Sequence, residues 1–71
     1  METTVIIPVV FTKREKEILE LVAEGFTSGA IASQLFVSIR TVENHRVNML
    51  RKLAVANTPS LLKRAREAGF I

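Results

Sequence analysis

Ser38-Ile-Arg-Thr-Val-Glu-Asn-His-Arg-Val-Asn-Met-Leu-Arg-Lys-Leu53 is the stretch whose reading decides the fold of this chain. Ser38 is suited to cap a helix, because its hydroxyl can accept from an orphan amide of the first turn. The spacing therefore predicts a helix over 39–53. At about 100° per residue, Val42, Met49 and Leu53 fall on one side, with Ile39 and Leu50 at its margins, and that side should face a core. Arg40, Asn44, Val47 and Arg51 fall together on the other side, flanked by Glu43. Two cations, an amide, a carboxylate and an exposed valine match what a DNA major groove offers: phosphates and guanine edges for arginine, adenine for asparagine, a cytosine amino group for the carboxylate, a thymine methyl for valine. The same stripe would also suit an ordinary solvated face, so the rest of the chain has to decide between the two.

Seventy-one residues make one small domain, which buries only about 60% of the surface its unfolded chain exposes. Cysteine and aspartate are absent and His45 is the single histidine, which argues against a disulfide framework, a metal centre or a hydrolytic site. No cofactor is implied, and the chain reads as a non-enzyme. The net charge of +3 is unevenly spread, at −2 over residues 1–37 and +5 over 38–71. The basic half starts with the candidate reading helix, which suggests a polyanionic partner. No apolar run approaches the roughly 18 residues of a membrane span, and the N-terminus lacks the basic region of a signal peptide. A cytoplasmic protein without a membrane partner is the expectation.

Around this helix the chain divides readily. Residues 1–10, apolar but broken by Pro8, form an N-terminal arm, the remnant of a linker, or a loose tail. Thr12 and Glu15 have capping-box spacing and open a helix over 13–24, with Ile18, Leu19 and Val22 facing inward and Gly25 placed to end it in the left-handed conformation. Thr27 or Ser28 can cap a short helix over 28–36, where Ile31 and Leu35 lie one turn apart, Ala30 and Ala32 allow close packing, and Gly29 would let a phosphate approach the backbone. Only a tight turn fits between Phe36 and Ser38. Two helices so joined make a helix-turn-helix, in which the second helix enters the groove with its N-terminal half leading. Thr58-Pro59 reads as a cap and first turn for a last helix over 59–68, closed by Gly69 with Phe70 folding back. Leu61 and Leu62 cannot both point squarely at one core, so either one is a dimer contact or both lie on a broad inward stripe. The fold class expected is all-α: four helices containing a helix-turn-helix, in a domain over 11–71.

Several separated segments, each weak alone, then combine. They are Phe-Thr-Lys-Arg-Glu-Lys-Glu-Ile-Leu at 11–19, Ala-Glu-Gly at 23–25, Ile-Ala at 31–32, Thr-Val-Glu-Asn-His-Arg at 41–46, Arg-Lys-Leu at 51–53 and the closing Ala-x-x-x-Gly-Phe-Ile. In this order and spacing, Phe11 to Ile71 resembles the LuxR-type (NarL/FixJ-type) helix-turn-helix family, the output domain of many bacterial response regulators. The resemblance implies double-stranded DNA as partner, with Glu43, Asn44 and Val47 on base edges. Arg40, Thr41, His45 and Arg51 would hold phosphates or orient the helix, and Thr27, Ser28 and Lys52 complete the expected backbone contacts. It also implies a homodimer on DNA using the fourth helix, through Leu61, Leu62 and Ala65, and allows contact with RNA polymerase. Three departures stand out. Ser28-Gly29-Ala30 replaces the usual Asn-Lys-Glu, Glu43 replaces a frequent lysine, and Ala54 replaces a glycine, which suggests a different turn before the last helix. Two rival readings share some of these features: a sigma-factor-like promoter reader, and a protein-interaction module whose basic face only aids solubility.

Overall fold

The computed structural model describes residues 9–71, and the arm expected over residues 1–10 lies largely outside them. Four helices follow one another: α1 (Lys13–Ala23), α2 (Ser28–Leu35), α3 (Ile39–Lys52) and α4 (Thr58–Glu67). Each starts where a side chain can satisfy first-turn amides. Thr12 closes a full capping box on α1, with Glu15 N donating to the threonine hydroxyl at 3.0 Å and Thr12 N donating to the Glu15 carboxylate at 2.8 Å. Thr27 caps α2 and Ser38 caps α3. The cap of α4 is Asn57, one residue before the expected Thr58, and its amide oxygen accepts from Ser60 N at 2.9 Å. Both residues are good caps. Thr58 is instead taken by Arg46, whose guanidinium donates to its hydroxyl at 2.6 Å and ties α3 to α4.

Alternate helical turns point inward to a single core. Ile18, Leu19, Ile31, Val42, Met49 and Leu61 are its fully buried large side chains, with Ala65 sealed among them. Ala30, expected to pack, is exposed, and Ile39 is 56% exposed rather than at the margin of the core. Phe11 joins the two ends of the domain. Its ring lies 4.6 Å from that of Phe70, and the Lys52 ammonium sits 5.8 Å above its centre.

All four helices finish in the same way. The residue after each C-terminal turn takes a left-handed backbone, and the next amide reaches back to a carbonyl five positions earlier: Phe26 to Leu21, Val37 to Ala32, Val55 to Leu50 and Phe70 to Ala65, at 2.8–3.0 Å. Glycine fills the left-handed position after α1 and α4, at φ 98° for Gly25 and 83° for Gly69. Phe36 and Ala54 fill it after α2 and α3, at φ 58° and 55°, so α2 stops one residue short of its expected end. Ala54 therefore does not redirect the chain, and the turn is the one a glycine would make, held against the preference of an L-residue. Ala54→Gly should raise stability by about 1 kcal/mol, an increase of about 4–8 °C in the melting midpoint of a domain this small.

Candidate nucleic-acid interface

The opposition between the two faces of α3 is the main feature of the surface. Val42 and Met49 are fully buried, whereas Arg40, Asn44, Val47 and Arg51 are exposed at spacings of four, three and four, with exposed Glu43 and Asn48 beside them. A helix held on its back by the core presents that stripe as a unit. Asn48 was not among the residues singled out from sequence. It sits at the edge of the stripe, one turn beyond Asn44, and a wider arc on the same wheel would have included it.

The remaining expected contacts separate into two groups. Thr27 and Ser28 are at the start of α2, where Thr27 accepts from Ala30 N at 3.1 Å and the Ser28 hydroxyl donates to Glu43 on α3. Gly29 lies beside them, and a Cβ there would make only ordinary contacts, with the Ile39 side chain at 3.8 Å and the Thr27 hydroxyl at 4.0 Å, so packing does not demand glycine. Thr41 is half-buried, with its hydroxyl 2.9 Å from that of Ser38 at the leading end of α3, and His45 is half-buried on the flank. These groups adjoin the stripe.

Three other residues do not join it. Lys52 was expected on a DNA phosphate, but its ammonium donates to the Glu15 carboxylate at 2.6 Å and to the Val10 carbonyl at 2.9 Å. Glu15 itself is buried. A cation so engaged, over the Phe11 ring, serves the fold. Leu61 and Ala65, expected with Leu62 at a dimer interface, are wholly buried in the core, and of that expected interface only Leu62 keeps part of its surface. The α4 stripe proved broad enough to point Leu61 inward while Leu62 stays at its edge.

With Arg46 and Lys52 committed internally, the exposed cations of the basic half are Arg40 and Arg51 on α3 and Lys63, Arg64 and Arg66 on α4. No described helix is long and apolar enough to cross a membrane.

The architecture and the order of these segments are shared with known proteins. Residues 9–65 match the family described as bacterial regulatory proteins, luxR family. The chain belongs to that family. As a LuxR-family domain it is of the DNA-binding helix-turn-helix kind found in transcription regulators. It is 43% identical over 56 residues to the oxygen regulatory protein NreC of Staphylococcus aureus (strain JH9), a match covering 79% of this chain and 26% of that protein. The chain thus spans about a quarter of the length of that curated relative. Among solved structures, the transcription factor GerE superposes with a TM-score of 0.81 at 32% identity, over 84% of this chain and 90% of GerE. The VqmA–ligand–DNA complex of Vibrio cholera superposes with a TM-score of 0.84 at 28% identity, over 99% of this chain and 31% of the other. The luxR-family domain here therefore corresponds to nearly all of one relative and to a fraction of the others.

Proposed function

We propose that this domain binds double-stranded DNA sequence-specifically, with the N-terminal half of α3 in the major groove, and that it has no catalytic role. Glu43, Asn44 and Val47 read base edges, Arg40 and Arg51 hold phosphates on either side, and Thr27, Thr41 and His45 orient the helix. The observation that carries this is the exposed polar stripe of α3 standing directly opposite a fully buried apolar one. Two copies pair on the DNA through the outer side of α4 around Leu62, each reading one half-site. The family resemblance supports the DNA partner, and the partly exposed Leu62 supports a contact there.

Selection of binding sites from a random duplex pool at about 0.15 M salt tests this. Enrichment of a two-fold motif with half-sites about one helical turn apart is expected; retention without enrichment would leave the groove-facing assignments unsupported. Within the enriched site, Asn44→Ala should relax preference at one base pair by about 1–3 kcal/mol. Arg51→Ala should instead weaken binding to all sequences and lower the slope of log affinity against log salt by about 0.9. Competition titrations at several salt concentrations distinguish the two.

A further inference from the structure

Ser28 and Glu43 lie 15 positions apart, and each departs from the residue usual at its place in the family. In the folded domain they meet: the Ser28 hydroxyl, at the first position of α2, donates to a carboxylate oxygen of Glu43 on α3. Among the described residues, this is the hydrogen bond that Glu43 makes, and the ion pairs involve Glu15 and Glu17 rather than Glu43. Arg46, one turn further along α3, could have neutralised it but is turned away to Thr58. Glu43 is thus an exposed carboxylate on the reading face, held by a neutral hydroxyl and not paired with a cation.

We propose that Ser28 is a positioning residue for base readout: it fixes the Glu43 carboxylate so that the second oxygen meets the amino group of a cytosine in the major groove. This rests on the reading of Glu43 as a base contact. A carboxylate among phosphates is repelled unless it finds a donor; guanine and thymine present only acceptors in the major groove, adenine sets its N6 amino group beside the N7 acceptor that repels a carboxylate, and cytosine presents its N4 amino group with no acceptor of its own beside it. A free glutamate side chain would lose several rotatable bonds' freedom on making that contact. Held in advance by Ser28, it has little left to lose, so the contact discriminates more sharply. The bond consumes one carboxylate oxygen and leaves the other as acceptor.

The test measures affinities of the 71-residue chain for duplexes carrying each of the four bases at the position that Glu43 controls. Glu43→Gln, Ser28→Ala and Ser28→Thr are compared with the parent after thermal melts confirm folding. Ser28→Ala should lower the preference for cytosine there roughly five-fold, with other positions of the site unchanged, and Ser28→Thr should restore it. If Glu43→Gln loses the preference while Ser28→Ala keeps it, Glu43 reads the base without help and the positioning role is overturned. An equal loss on all duplexes for Ser28→Ala would overturn it as well, by making Ser28 a phosphate contact. If Glu43→Gln leaves the preference at every position as it was, the reading of Glu43 itself fails.

Discussion

Met49→Ala is expected to leave the domain largely unfolded at room temperature. Met49 is fully buried on α3, in the cluster that gathers Ile18 and Leu19 from α1, Ile31 from α2 and Leu61 from α4. Truncating a buried methionine removes its transfer energy and leaves a cavity that neighbours refill only in part, at about 2–5 kcal/mol. A single core in a domain of this size supplies about 3–5 kcal/mol in all. Loss of the cooperative helical melt followed by circular dichroism is the expected result; Met49→Leu, which nearly conserves volume, should retain it. A sharp melt for Met49→Ala close to that of the parent would show that the core can close over the gap.

The second large effect concerns Glu15 and Lys52. Burial by itself would raise the Glu15 carboxyl, but the Lys52 ammonium and the Thr12 donors outweigh it and hold the group below its usual 4.5. Because the folded value is the lower one, the charged carboxylate stabilises the domain fully above the unfolded range, and this contribution is lost as pH falls through the folded value. Lys52→Ala leaves a buried carboxylate with only the Thr12 amide, at a cost of about 1–2 kcal/mol once the partial exposure of the lysine is allowed for. Glu15→Gln should flatten the acid limb: its stability relative to the parent improves as pH drops below about 4.5, measured by urea unfolding across that range. DNA affinity of Lys52→Ala, measured where the variant remains folded, should stay near that of the parent, in contrast to Arg51→Ala.

The contrast between Arg51 and Lys52 shows where a sequence stops being legible. Lys52 lies about 100° from Arg51 on the wheel, yet its charge and its place at the helix end suit a phosphate equally well, and nothing local reveals that it meets a carboxylate 37 residues earlier. Glu15 was read from sequence for its bond to the Thr12 amide, three residues away; its second partner required the fold. Thr12, Ser38, Gly25, Gly69 and the returning Phe70 were all readable, since each acts within six residues of itself and obeys local backbone chemistry. The polar stripe of α3 was readable for the same reason. Whether Leu61 or Leu62 would point into the core was not, because periodicity defines a face without saying what that face meets. Ala54 failed differently: its type argued against the left-handed turn that the packing of α3 and α4 nevertheless imposes.

The two faces of α3 share one helix but no residue. Val42 and Met49 can keep the domain folded while Arg40, Asn44, Val47 and Asn48 are exchanged one by one, because none of those exposed side chains is bonded to another part of the described protein. On the proposed reading, a lineage carrying this domain can change its operator without risking collapse, and duplicated copies can diverge in target through single substitutions. Glu43 is the exception. Its tie to Ser28 makes two positions on different helices change together, so on that same reading the base pair assigned to Glu43 should drift more slowly than the others.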